Sequence, residues 1–551
     1  MITSVSAMRA KLLGCAAISV ALAALSACDS GTKQAAAPSA PKVLVNGGAA
    51  HGLEGLTFGP DGMIYATSGF GNVIVKVDPA SGAVSTAAPP PDGEGDDIAV
   101  GPANTPVAGW LVWTSPPHGK IMMQKPGGQP EVLVDNAPNV NPVAVTRDGS
   151  ARFFAAQRSD NTLWEIYPFD KKEPRLVVKS EVMMNGFDFG PDGKLYAPWQ
   201  GKDEIRQVDI DTGAMTVAAK GVGLPVGVDV DSKGNIYSVD STSGELWVTA
   251  GAGGPSKVLA KYQAPLDNVT VGPDDKVYVT AVADSRLINV DTATGAGKDI
   301  VPGSLVAPFT LTLTKFEGRD ALLVADPFGH RFVDLASGKV TRSDWGIRTM
   351  GLAAGANDAL VAVLLQNGRV KKLDRSNDAT VFDSEAIDGA RGLVVVAANG
   401  DVIVADTKGG KLVKVTAEGA QTIAEGLRGP SALALDGADA VLVAETEGGA
   451  VTQVKLADGA KTEVLKGLDK PTSVARLKDG RIAVTEPGLG TVAAIDAKGA
   501  RTVLAKDMKL GVGTLRAPAD ATNGLAVGPD GALYVSSPMD NTISVIALGK
   551  P

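Results

Sequence analysis

Five oxygen-bearing side chains recur along the first half of the chain at matching places in a repeated pattern: Glu54, Asp96, Asn141, Asn185 and Asp267. Each stands two residues ahead of the leading apolar residue of a short strand-like run, as Glu54 does before Leu56 and Asn185 before Phe187. Carboxylates crowded onto one small circle repel one another unless they are protonated or bound to a cation. Oxygen donors without His or Cys suit Ca2+, or another hard divalent cation such as Mg2+ or Mn2+. The sixth position of this circle is Val226. A second set follows the next strand of each repeat: Ser68, Ser115, Gln157, Trp199, Asp240 and Ala281. Of these, Trp199 and Asp240, together with His118 in the Pro-Pro-His-Gly loop, are the expected substrate contacts.

These residues need a scaffold that returns the chain to one axis about every 40 residues, the range of propeller blades. The repeat supplies it. Glu54-Gly-Leu-Thr-Phe-Gly-Pro-Asp-Gly-Met-Ile-Tyr65 resembles Asn185-Gly-Phe-Asp-Phe-Gly-Pro-Asp-Gly-Lys-Leu-Tyr196 and Asn523-Gly-Leu-Ala-Val-Gly-Pro-Asp-Gly-Ala-Leu-Tyr534. Weaker copies bring the count to twelve units. In each, a short apolar strand meets a Gly-Pro-Asp-Gly turn, in which Pro presets φ and Gly relieves the bend. Three further strands complete a four-stranded antiparallel blade. The predicted fold is all-β, two tandem six-bladed β-propellers; one ring of twelve or a seven-plus-five split also fits the count. Lys42–Val45 and Lys298–Val301 are expected to act as displaced fourth strands, one for each ring. The domains expected are a signal peptide at 1–27, an anchor and tether at 28–41, and propellers at 42–296 and 297–551.

Positions in the second half that match the first circle carry Phe309, Met350, Arg391, Ser431, Thr472 and Asn523. A water-filled channel would also be polar, but a generic need for polarity would treat both halves alike. Acids follow the second strands there, including Asp326, Asp406, Glu445 and Glu486. They fit an ion-pair network with Arg391, bonds to backbone, or a site for a cationic ligand or peptide.

With 551 residues, 66 of them Gly, and 21% charged, the chain is too long for one core and too apolar for disorder. Its net charge of −9 argues against nucleic acid, whose phosphates need a basic surface. The three histidines, His51, His118 and His330, are divided between the halves, so neither half can hold a three-His zinc site. Both cysteines, Cys15 and Cys28, lie in the N-terminal segment. There Arg9 and Lys11 precede the apolar run Leu12–Ala27, which reads as a secretory signal.

Leu25-Ser26-Ala27-Cys28 resembles the bacterial lipoprotein box. That resemblance implies cleavage before Cys28, lipidation of Cys28, and a membrane-attached, extracytoplasmic protein in the periplasm or at the cell surface. The units resemble NHL-type repeats. The first half also resembles the senescence-marker-protein/gluconolactonase superfamily, which implies a six-bladed propeller with a divalent metal at the channel mouth and hydrolysis of lactones or related esters. Glu54 and Asn185 match metal ligands of that family, and Asn141 matches its substrate-side Asn. Val226 stands where the family has an Asp that is both ligand and candidate base. Asp267 or Asp96 could supply a substitute carboxylate, as metal ligand or catalytic base. Virginiamycin-lyase-like propellers are a further resemblance; they use an active-site His, and His51 and His118 lack a matching motif.

Two functions are expected. One is an envelope lipoprotein that holds a small molecule or an envelope protein on its propeller faces, with Ca2+ at the first mouth. The other is a metal-dependent lactonase-like hydrolase in the first ring.

Overall fold

The structure is a computed structural model that describes residues 40–170, 172–355, 360–375, 379–396, 399–511 and 522–548. The signal segment and Cys28 lie outside the described residues. Met1–Pro38 and Ser39–Pro551 are separate units, and every described strand belongs to the second. No helix of the described residues is long and apolar enough to cross a membrane.

The repeat motif folds through its own side chains. In the first unit Asp61 accepts the backbone N–H of Met63 at 3.2 Å and the hydroxyl of Tyr65 at 2.9 Å, and its carboxylate pairs with Lys76 at 2.7 Å. Asp192 does the same with Lys194 N–H at 3.1 Å and the Tyr196 hydroxyl at 3.0 Å. The Asp of Gly-Pro-Asp-Gly thus stitches the hairpin shut, and the Tyr of the next strand is the hand it holds. Between these turns the strands alternate apolar and small residues, which bury both faces of each sheet against its neighbours.

Among the described residues the strands make twelve four-stranded antiparallel sheets. The first strands of sheets one to six form a circuit. Leu53–Phe58 packs beside Ile98–Val100, and the series continues through Val140–Val145, Asp188–Phe189, Pro225–Val230 and Leu266–Val271. Leu266–Val271 in turn packs beside Leu53–Phe58. The first strands of sheets seven to twelve, from Leu311–Phe316 to Leu525–Val527, form a second circuit of the same kind. This arrangement is that of a β-propeller.

The closing strands differ from expectation. Gly297–Val301 pairs with Arg286–Val290 and is the fourth strand of sheet six, not a displaced strand of the second half. Lys42–Asn46 pairs with Thr542–Ile546 and completes sheet twelve, the last of the second circuit. The reason is loop closure. Gly297–Val301 follows its partner after a short Asp-Thr-Ala-Thr-Gly turn, so the local hairpin forms at the lower entropy loss. Among the described residues only the final sheet is left without a chain-local fourth strand, and the first described strand supplies it.

The two circuits touch at a buried seam. Arg331 and Asp326 are both 0% exposed and lie 3.3 Å apart. The Arg331 guanidinium donates to the Ala283 carbonyl at 2.7 Å and sits 3.9 Å from the Trp345 ring centre. Phe70 of the first half meets Phe328 of the second edge-on at 5.7 Å.

Candidate functional site

The channel of the first circuit has two ends. At the end where the first strands begin, Asn141 donates its amide to Asn185 Oδ1 at 2.8 Å and accepts from the Thr114 hydroxyl at 3.1 Å. Glu54 is 6% exposed there. The Asp96 carboxylate lies 3.6 Å from Arg158. Asp267 neighbours Asn268, which turns into the channel below.

The donor set does not fit the metal that the gluconolactonase resemblance implies. Val226 is a buried core residue where that family has a carboxylate. Asn185 Oδ1 is engaged by Asn141. Among the described residues no three His, Cys, Asp or Glu side chains form a group that could hold a metal ion.

Two of the expected substrate contacts, Trp199 and Asp240, are buried. Trp199 is fully buried in the core of sheets three and four, with its indole N–H on Glu181 at 3.1 Å and Arg206 stacked 4.6 Å above it. Asp240 accepts the N–H groups of Leu224, Thr242 and Ser243 at 2.7, 2.7 and 2.9 Å, so it organises its own turn. The same device recurs in the second half: Asp326 accepts Val306 N–H at 2.9 Å, Asp406 accepts Gly409 N–H at 2.8 Å, and Glu486 accepts Asp469 N–H at 2.9 Å. Acids after the second strands therefore bind backbone, one of the readings open from the sequence. His118 is exposed, and its Nδ1 lies 2.9 Å from Ser115 Oγ. Ser115 donates its single proton to the fully buried Glu94. Its oxygen is then left to accept, which makes His118 Nδ1 the donor.

No family model and no curated protein matches the chain. Among solved structures it is similar to a selenomethionine-substituted virginiamycin B lyase from Staphylococcus aureus, at 14% identity and a TM-score of 0.36 over 52% of this chain and 94% of that one. It is similar to a streptogramin B lyase at 11% identity and a TM-score of 0.25, over 66% of this chain and 93% of that one. It is also similar to the extracellular domain of the one-component-system protein BT4673 from B. thetaiotaomicron, at 11% identity and a TM-score of 0.31 over 94% and 84% of the two chains. At these levels the propeller rests on this chain's own strand pairings.

The other end of the first channel opens into a cavity of about 400 Å³. Its inner end is made by Asp97 and Asn268. Asp97 accepts Val143 N–H at 3.1 Å and the Asn268 amide at 3.2 Å, so one carboxyl ties sheets two, three and six. Burial pushes the Asp97 carboxyl well above its ordinary range, and the nearby Asp96 and Asp188 add to this against the pull of its backbone donors. Three glycines make room for this closure. A Cβ on Gly55 would lie 2.6 Å from Asp97 Cα, one on Gly186 would lie 2.5 Å from the Val226 carbonyl, and one on Gly227 would lie 2.7 Å from Asn268 Oδ1.

Outward from this floor, Arg147 reaches Asp188 at 2.7 Å and Asp229 at 3.9 Å. Asp229 is embedded in the wall, where it accepts the N–H groups of Val230 and Val271, each at 2.7 Å. Burial and the repulsion of Asp188 push its carboxyl up to about 7, against the attraction of Arg147. Arg147 occupies the place that Pro takes in Gly-Pro-Asp-Gly, in the departing turn Thr-Arg-Asp-Gly.

The second channel has a cavity of about 390 Å³ at the same place. Where the first has Asp97, Asp188 and Asp229, matching positions of the second carry Gly351, Ala434 and Ala475. Among the described residues no carboxylate lines it. Arg476, which lines it, is held by Asp436 through two hydrogen bonds of 2.8 and 2.7 Å.

Proposed function

We propose that this is a binding protein of the bacterial envelope. In this reading two six-bladed propellers are tethered through a lipidated Cys28, and a small molecule is held in the channel of the first. The observation that carries the reading is the contrast between the channels. Both circuits close over cavities of nearly equal volume, so the fold does not require Asp97, Asp188, Asp229 and Arg147. Burying carboxyls is unfavourable unless something compensates. The second circuit has Gly and Ala at those positions, and the first keeps Asp97, Asp188 and Arg147 on the lining of its cavity, with Asp229 behind them. A concave cavity of this volume with a few convergent polar groups is the usual form of a small-molecule site.

The test is a thermal-shift screen of the full chain against a metabolite library, repeated on Arg147→Met. Hits that stabilise the wild type and lose their effect in the variant support the reading. A library that shifts neither protein overturns it.

A further inference from the structure

We propose that the first-channel cavity takes an uncharged, polyhydroxylated molecule of monosaccharide to disaccharide size. This rests on the binding reading above and adds the chemistry of the ligand.

The cavity's guanidinium is already paired. Arg147 is held by Asp188 at 2.7 Å with Asp229 behind it. A carboxylate or phosphate would have to displace Asp188, and would then meet Asp275 on the rim. An amine drawn to Asp188 would have to dislodge Arg147. A molecule without net charge disturbs neither, and can use the pair as it stands, with guanidinium N–H donors beside carboxylate acceptors. Hydroxyl groups both donate and accept, so they suit such a mixed edge.

The inner end has the same preference. The two oxygens of Asp97 already receive Val143 N–H and the Asn268 amide, and Asn268 Oδ1 receives Val269 N–H at 2.9 Å. Burial pushes the Asp97 carboxyl well above its ordinary range, so this end of the cavity is better suited to a neutral hydroxyl than to a second anion. Between the two polar ends the wall is apolar, with Leu56, Phe58, Phe187 and Val228, which suits the C–H faces of a ring. The volume of about 400 Å³ sets the size class.

The test is calorimetric titration of the full chain with glucose, myo-inositol, sucrose and trehalose, and separately with putrescine and gluconate. We expect one-site binding of at least one of the neutral polyols, weakened at least tenfold in Arg147→Met and in Asn268→Ala. Thr312→Val, in the second channel, should leave it unchanged. Arg147 is two-fifths exposed, so its variant is expected to keep the wild-type fold, checked by its melting curve. Absence of polyol binding overturns the proposal, as does binding that survives both first-channel variants. Binding of putrescine or gluconate alone, lost in Arg147→Met, overturns the ligand class and leaves the binding site standing.

Discussion

The Asn268 side chain donates to the carboxyl of Asp97 at 3.2 Å although 171 positions separate them in the chain. One residue leads the second sheet and the other the sixth, with the first sheet between. Their bond is therefore a direct reading of ring closure, and it also forms the floor of the cavity. Closure and site share the same two side chains.

That sharing predicts how the floor responds to added bulk. Gly55→Ala sets a Cβ 2.6 Å from Asp97 Cα, where backbone must move. Overpacking of this kind costs about 1–3 kcal/mol. Urea denaturation should show that loss, while Gly62→Ala, at a turn with open space around it, should lose only what its positive φ imposes.

Asp229 gives the pH dependence a sign. Its carboxyl is pushed up to about 7 from an ordinary value near 3.8. The folded state therefore holds the proton more tightly than the unfolded state. The stability this contributes is fully present below about pH 4 and is lost as pH rises through 7. Asp229→Asn mimics the neutral form. Its stability relative to wild type should rise between pH 4.5 and 7.5, measured by denaturation at each pH. A difference that is flat across this range would remove the buried neutral carboxyl from the account.

At the seam, Asp326→Ala leaves the Arg331 guanidinium buried without its carboxylate. Breaking a buried pair from one side costs about 3–5 kcal/mol. Asp326 also accepts Val306 N–H, so Asp326→Asn, which can keep that bond, should lose less than the alanine variant. The two denaturation curves check the order.

The first strand of the chain predicts a remote effect. Val45 is 3% exposed and packs with Ile543 and Tyr534 of the last sheet. Val45→Asp places an unpaired carboxylate there, which costs several kcal/mol, about 2–7 for a polar group without a partner. Hydrogen exchange should quicken in Leu533–Ser537 and Thr542–Ile546, hundreds of residues away in sequence, before it quickens in Ile64–Ser68.

The repeat made the architecture legible, because each Gly-Pro-Asp-Gly turn and its Tyr form a local unit whose bonds need nothing from outside. What the repeat could not tell is which copy of an interchangeable fourth strand closes which sheet. Lys298–Val301 and Lys42–Val45 look alike, and only loop length separates them. The sequence singled out the end of the channel where the first strands begin, and the site proposed above lies at the other end. Glu54, Asp96 and Asp267 stood out because they are acidic at a repeated position. Asp97 and Asn268, one residue further on, carry the contact. The signal for them was present: the Gly that follows Glu54, Asn185 and Val226 is replaced by Asp after Asp96 and by Asn after Asp267. Arg147 had its own signal as the residue that replaces a turn proline. Glu94 was hidden, since nothing in its neighbourhood shows that it ends fully buried beneath Ser115.

A bound ligand is expected to occupy the inner cavity of the first channel. Amide hydrogen exchange on the full chain, with and without a saturating ligand, tests it most directly. Protection should gather at Ile98–Val100, Val143–Arg147 and Leu266–Val271, which surround Asp97, Arg147 and Asn268, with Leu311–Phe316 unchanged. Protection confined to the loops around Glu54 and His118, or to strands of the second circuit, would contradict it.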